Sequence, residues 1–178
     1  HPVEYLFQLI GLIPDAKPQK LAEGGNNNIM TTFAKIFGPR LMLVGGGSVK
    51  RTSEALSSLN IKKPLIVTDP FMVSSGMLRS LTEPLAAAGV PHGVFSETVP
   101  DPTAEVVVAG TEEFKRGGYD GLIGFGGGSP MDTAKAMNVL AKHGGSISDY
   151  RFPHSVDDGA CPLVCIPTTA GTGSECTR

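Results

Sequence analysis

Short apolar runs alternate with longer amphipathic stretches from residue 41 to the end of the chain, and this alternation limits the fold more than any other feature. Runs too short for helices, each followed by a helical stretch, bury both faces in a parallel sheet covered by helices on either side. Five runs read as strands: Leu41–Val44, Pro64–Thr68, Val90–Glu97, Leu122–Phe125 and Pro162–Ile166. Helices are expected over about Val49–Leu59, from Asp69 to about Ala88 with a break near Gly76, from Asp101-Pro102-Thr103 to Gly117-Gly118, and over Pro130–Lys142. Val106, Val107, Ala109, Gly110 and Phe114 are expected on the packed side of the third helix, and a loop of glycine and charge runs to Ala160. The fold class is therefore α/β, a Rossmann-like parallel sheet with helices on both faces. Residues 1–29 read as an extension or appended arm, with Met30 a second apparent beginning, and 30–178 as one domain.

Parallel sheets bind ligands beyond the carboxyl ends of their strands. Asp69, Asp101, Gly126–Ser129 and the stretch from Thr168 onward each follow a strand or its exit loop, so they are expected to gather on one edge. The strongest of these segments is Gly-Phe-Gly-Gly-Gly-Ser-Pro-Met-Asp-Thr-Ala-Lys, residues 124–135. An apolar strand runs into a glycine turn and the turn into a helix. Backbone N–H groups there can approach a diphosphate, and the helix N-terminus favours its negative charge. Ser129 is expected to cap this helix, with Asp132 at capping-box spacing and Pro130 in the first turn. The segment is not a GxxxxGK[ST] phosphate loop.

The second segment, Pro167 to Thr177, carries four threonines, a serine and two glycines directly after a strand. Their hydroxyls and N–H groups can line a phosphate, ribose or adenine pocket, although a solvated loop would have the same composition. Asp69 suits the two hydroxyls of an adenosine ribose and repels a 2′-phosphate; it also suits a helix cap. Gly45–Gly47 lacks a third fingerprint glycine, because Lys50 occupies that place, and reads as a structural turn.

Several functions are disfavoured. Net charge is −2 with scattered Lys and Arg, which argues against a nucleic-acid partner. The apolar run Tyr5–Ile13 is about half as long as a bilayer helix, and it lacks the flanks of a signal peptide, so a membrane partner is not expected. Cys161, Cys165 and Cys176 lack metal-site spacing and read as free thiols of a cytoplasmic protein. His92, His143 and His154 are isolated, and neither a hydrolytic triad nor a metal-binding HxxxH pair exists. The chain offers a place for a dinucleotide but no catalytic group of its own.

At Gly126-Gly127-Gly128-Ser129-Pro130-x-Asp132-Thr133-x-Lys135 and at Pro167-Thr168-Thr169-Ala170-Gly171-Thr172-Gly173-Ser174-Glu175, the sequence resembles the iron-containing (group III) alcohol dehydrogenases, related to glycerol dehydrogenase and dehydroquinate synthase. Ile66-Val67-Thr68-Asp69 and Val99-Pro100-Asp101-Pro102-Thr103 occur in the family's order, and the resemblance extends from about Phe37 to Arg178. It implies an N-terminal α/β domain binding NAD(P) and a C-terminal helical domain, absent here, that holds iron or sometimes zinc. By the same resemblance Gly127, Gly128 and Ser129 match the pyrophosphate loop, and Thr168, Thr169, Thr172 and Thr177 match threonines around the cofactor. Asp69 matches the residue selecting NAD over NADP, and Asp132 an aspartate near the nicotinamide. Asp101 stands on the cofactor side where many members have Asn, and Cys176 where a small apolar residue is usual.

The metal ligands of the family lie beyond Arg178, so none is transferred. The resemblance implies an NAD-dependent oxidation of a small alcohol to an aldehyde or ketone by a full-length homodimer or higher oligomer, with this chain inactive alone. A dehydroquinate synthase-like lyase, a glycerol dehydrogenase-like enzyme and a non-enzymatic nucleotide-binding module are the alternatives; Ser129-Pro130-x-Asp132 favours the dehydrogenase.

Overall fold

The computed structural model describes residues 41–150, 156 and 159–176. The chain divides into two units, His1–Met42 and Leu43–Arg178, and all the strands and helices described belong to the second. The expected arm at 1–29, the run Tyr5–Ile13, His154 and Thr177 lie outside the described residues.

Four parallel strands form one sheet: β1 (Pro64–Val67), β2 (Gly93–Phe95), β3 (Gly121–Gly126) and β4 (Leu163–Pro167), in the order β2-β1-β3-β4. The register pairs Leu65↔Gly93, Ile66↔Ile123 and Ile123↔Val164. The helices are α1 (Thr52–Ser58), preceded by a 3₁₀ turn at Ser48–Arg51, then α2 (Pro70–Ser74), α3 (Arg79–Ala87), α4 (Ala104–Gly117) and α5 (Gly128–His143). Successive strand residues point to opposite faces, and the core divides accordingly. Ile66, Ile123 and Phe125 pack with Leu56, Met72, Leu81 and Leu85 from α1, α2 and α3. Leu65, Val67 and Leu122 pack on the other face with Val107 and Phe114 of α4 and Ala134, Met137 and Leu140 of α5. Leu65, Ile66, Val67, Leu122 and Ile123 are wholly buried, each contributing about 2 kcal/mol by leaving water.

Local chemistry sets most helix ends where the sequence places them. Gly76 adopts φ 77° and separates α2 from α3, and Gly118, at φ 62°, closes α4 in the left-handed conformation that glycine reaches without penalty. Three readings are corrected. Leu41–Val44 forms no strand; Leu41, Met42 and Val44 are exposed, and a four-residue apolar run needs a paired neighbour, which the described sheet does not offer it. The α4 helix starts at Ala104, after Thr103, without a side-chain cap, and Pro102 precedes it. Its packed side is Val107, Gly110, Thr111 and Phe114 with Val106 half-buried, whereas Ala109 is exposed because the 3.6-residue period rotates it off the core face.

Asn138, nearly buried on α5, ties the approach to β4 onto that helix. Its Nδ2 donates to Cys161 O at 2.9 Å, its Oδ1 accepts from Cys161 N at 3.0 Å, and its carbonyl accepts from Ala160 N. The carboxylate of Asp120 does similar work at the same, amino end of the sheet, accepting from the backbone N–H groups of Lys62 and Lys63.

Candidate functional site

The strand order determines where a crevice opens. From β1 the chain moves outward to β2, then returns past β1 to β3 and on to β4. Connections of one hand that run in opposite directions lie on opposite faces of the sheet. Here α2 and α3 cover one face, and α4 and α5 the other. The connections therefore part between the carboxyl ends of β1 and β3, and such a switch point is where open α/β sheets take their ligands. Asp69 leaves β1 at this point and Gly126–Ser129 leave β3.

The glycine turn is shaped by close approach as well as by backbone angle. Gly126 has φ 145°, and a Cβ built on it would stand 2.7 Å from Pro130 Cγ and 3.4 Å from Asp69 Oδ2. The turn and the Asp69 carboxylate therefore share the crevice. Helix α5 begins at Gly128 with Gly127 as its N-cap and no side-chain cap, so the expected cap by Ser129 and the capping box with Asp132 are corrected. Starting two residues earlier places Ser129 inside the first turn and leaves the amino end of a 16-residue helix without a side-chain cap. The first N–H groups of a helix have no partner within it, and Pro130 removes one of them. What remains is a set of backbone donors at the positive end of the helix, suited to an anion.

The loop after β4 packs against this turn. The β3–β4 ladder continues one step further as Thr168 N donates to Gly126 O at 2.8 Å. A Cβ built on Gly127 would lie 3.4 Å from Thr169 Oγ1, and one on Gly128 would lie 3.2 Å from Ser174 Oγ and 3.4 Å from Thr172 Cβ. Thr168, Thr169 and Thr172 thus come together with Gly127 and Gly128, as the sequence suggested. Thr169 and Thr172 are exposed, while Thr168 is half-buried with a hydroxyl that is buried and without a hydrogen-bond partner. A buried hydroxyl left unpaired costs about 1–3 kcal/mol, and at the lip of a crevice a polar ligand would remove that cost. The residues present therefore fit a diphosphate-bearing ligand.

Asp69 serves the fold as well as the crevice. Its Oδ1 accepts from Met72 N at 2.9 Å, capping α2, so the cap expected as an alternative is present. Asp101 is exposed, with φ 52°, a left-handed conformation that Asp and Asn tolerate better than other side chains. For the backbone, Asn would serve here as well as this Asp. No described contact joins Asp101 to the glycine turn or the threonine loop.

Asp132 is exposed on α5, and its Oδ2 accepts from Ser174 Oγ at 3.1 Å. Lys135, one turn on, stands 3.9 Å from Asp132 Oδ1 and donates to Ser174 O. Sequence reading gave no role to Lys135, and counted Ser174 only among the hydroxyls able to line a pocket, not as a tie to α5. The Asp-x-x-Lys spacing, which puts two opposite charges on one helix face, was the available signal. Thr98 also went unremarked: wholly buried beyond β2, it donates its N–H to Thr68 O, and its hydroxyl has no partner. Gly45–Gly47 forms a turn in open space, with Ser48 N donating to Gly45 O, in keeping with the structural reading.

A family model of the iron-containing alcohol dehydrogenases matches residues 39–178. The chain belongs to that family. Over 148 residues it is 41% identical to the NAD-dependent methanol dehydrogenase of Bacillus methanolicus, a match covering 83% of this chain and 38% of that protein. It is 40% identical over 143 residues to the choline dehydrogenase of Bacillus subtilis (strain 168), covering 79% and 36%. Among solved structures, 1,3-propanediol oxidoreductase superposes with a TM-score of 0.77 at 30% identity, over 83% of this chain and 38% of that one. The sulfoacetaldehyde reductase from Bifidobacterium kashiwanohense, in complex with NAD+, superposes with a TM-score of 0.73 at 28% identity, over 82% and 39%. The chain thus spans less than two-fifths of the length of these relatives. The α/β parallel-sheet fold is that of the family's N-terminal portion.

Among the described residues no group of three or more His, Cys, Asp or Glu could hold a metal ion, and no helix is long and apolar enough to cross a membrane. His92 Nδ1 lies 2.9 Å from Val90 O, and His143 packs beside Tyr150. The three cysteines are free. Burial, and after it the Asp120 charge, pushes the Cys161 thiol up to about 12, whereas Cys176 is exposed. Because the thiolate is the nucleophile, iodoacetamide at pH 8 should modify Cys176 first and leave Cys161 intact in the folded protein. Peptide mass mapping over time checks this, and Cys161 alkylated as fast as Cys176 would contradict it.

Proposed function

We propose that the crevice between β1 and β3 binds NAD, and that the chain is the cofactor-binding portion of an iron-type alcohol dehydrogenase acting on a small alcohol or aldehyde. The observation that carries this reading is the uncapped amino end of α5 at the switch point, with the threonine loop packed on its glycine turn. Gly127, Gly128 and Ser129 would hold the diphosphate; Thr168, Thr169, Thr172 and Thr177 would supply hydroxyls and N–H groups beside it. Asp132 would lie towards the nicotinamide, and Asp101 would be a further cofactor contact. When bound, the nicotinamide supplies the acceptor for a hydride. This chain's own part is to bind and orient that group.

The iron, or zinc, that the family name implies is assigned to a helical domain outside this chain, in keeping with the greater length of the relatives. Cytoplasmic location and assembly as a homodimer or higher oligomer belong to the same proposal for the full-length protein. Titrating the ¹⁵N-labelled chain with NAD and NADP tests the core of the reading at residue level, even for weak binding. Saturable shifts at the amides of Gly127, Gly128 and Thr168, stronger with NAD, are expected. A folded chain whose amides respond to neither dinucleotide would overturn it.

NAD preference rests on Asp69, whose two oxygens divide the labour. Oδ1 caps α2, leaving Oδ2, on the Gly126 side, to meet a ribose or repel a 2′-phosphate. Asp69→Asn keeps a good capping side chain and removes the charge. It should lower the NAD-over-NADP preference about tenfold, or ~1.4 kcal/mol, with little change in stability. Asp69→Ala should lose the preference and, in addition, about 1 kcal/mol of stability with the cap. Dinucleotide titrations paired with urea unfolding separate the two effects; an unaltered preference in Asp69→Asn would remove Asp69 from the selection of cofactor.

A further inference from the structure

Two distant parts of the chain meet at Lys135. On α5, Asp132 and Lys135 lie one turn apart, and the loop after β4 comes back to them 39 and 42 residues later. Lys135 Nζ donates to the backbone carbonyl of Ser174, Ser174 Oγ donates to Asp132 Oδ2, and Lys135 stands 3.9 Å from Asp132 Oδ1. The Lys135 side chain is only 17% exposed, although Asp132 is open to solvent at 55%. An ammonium held that far from water needs its partners, so its contacts to the loop are worth more than those of a surface ion pair. Ser174 itself is buried, whereas the loop around it is largely exposed. Among the described residues, the loop's own backbone N–H groups donate from Cys176 to Gly173 O and from Ser174 to Thr172 Oγ1 at 3.4 Å. Gly171 and Gly173, at φ 99° and 72°, add conformational freedom on either side of Thr172.

We propose that Lys135 is a positioning residue: with Asp132 and Ser174 it clamps the threonine loop onto the glycine turn, so that the crevice is ordered before cofactor arrives. It touches no reacting atom; it acts through Ser174, which stands where a side chain on Gly128 would meet it. A loop already ordered loses less conformational entropy on binding, and a loose one binds more weakly by the cost of ordering it. The link between loop order and affinity rests on the reading of the crevice as a dinucleotide site; the clamp itself does not.

The test uses the whole chain, without and then with NAD. In ¹⁵N relaxation measurements on the ligand-free protein, backbone order parameters over 169–176 should be near 0.8 or above in the unsubstituted chain and fall below about 0.6 in Lys135→Met. Those of β1, β3 and residues 136–143 should stay unchanged. Lys135→Arg should restore most of the loop order, and Ser174→Ala should lose part of it. Where the chain binds NAD, Lys135→Met should raise its Kd about five- to tenfold.

A loop that stays ordered in Lys135→Met overturns the clamp, as does loosening spread evenly through the domain. A loosened loop with unaltered NAD affinity overturns the ordering role in binding. Absence of NAD binding in the unsubstituted chain counts against the proposed cofactor instead, and leaves the order parameters to decide the clamp.

Discussion

Replacing Gly124 with Val should cost the domain about 3 kcal/mol or more and lower its Tm by roughly 6–12 °C. Gly124 lies on β3, facing α5, and a Cβ there would stand 2.9 Å from Met131 Cα, 3.2 Å from Met131 Cγ and 3.5 Å from Ala134 Cβ. The first of these neighbours is backbone, which cannot swing aside as a flexible side chain would. Relief requires α5 to move off the sheet, and with it Met131, Ala134 and Met137, none of which is exposed at all. Domains of this kind have about 5–15 kcal/mol in hand, so the loss is a large share. Thermal unfolding monitored by circular dichroism measures it. Gly46→Ala is the matched control, because a Cβ there meets nothing within 4 Å and the backbone angle is ordinary. A Gly124→Val protein as stable as that control would mean that the helix does not depend on this close approach.

The second large effect is on binding. Gly128→Leu should abolish detectable response to NAD, which corresponds to a rise in Kd of about 100-fold or more, ~2.7 kcal/mol. Gly128 is the first residue of α5, and its Cβ position lies 3.2 Å from Ser174 Oγ and 3.4 Å from Thr172 Cβ. A leucine there must either displace the loop or occupy the space above the helix end, and both outcomes remove the place for a diphosphate. Gly128 is only half-buried and lies on the crevice side of the sheet, so the substitution should leave Tm within a few degrees of the unsubstituted chain. Amide shifts on titration with NAD, read beside a thermal melt, check both halves. Retained shifts at Thr168 and Ser129 in a folded Gly128→Leu chain would place the dinucleotide elsewhere.

Gly124 and Gly128 belong to one short segment, yet they were legible to different degrees. The segment's pattern of apolar strand, glycine turn and helix pointed to an anion site because backbone conformation and helix polarity are local properties. That Gly124 is needed for helix-to-strand contact is invisible locally; the residue that excludes a side chain there, Met131, is named only by the packing of α5 on β3. Ser129 shows the same limit from the other direction. A Ser-Pro pair reads as a helix start, but the helix begins at Gly128, where the glycine turn has already brought the chain round.

Read alone, the sequence already showed that the chain alternates strands and helices, that its strands are parallel and covered on both sides, and that Asp69, the Gly126–Ser129 turn and the Thr168 loop leave the same edge. It also placed the helix breaks at Gly76 and Gly118. Each of these comes from period, from β-branched and glycine content, or from chain reversal over a few residues, all of them short-range. Packing settled the order β2-β1-β3-β4, which opens the crevice between β1 and β3. It alone left Leu41–Val44 out of the sheet, and it joined Ser174 to Asp132 and Lys135 across 42 and 39 residues. Strand order and cross-chain hydrogen bonds are pairings between segments that local preferences leave equally open. They are selected by which arrangement buries both faces of the sheet while keeping its polar groups paired.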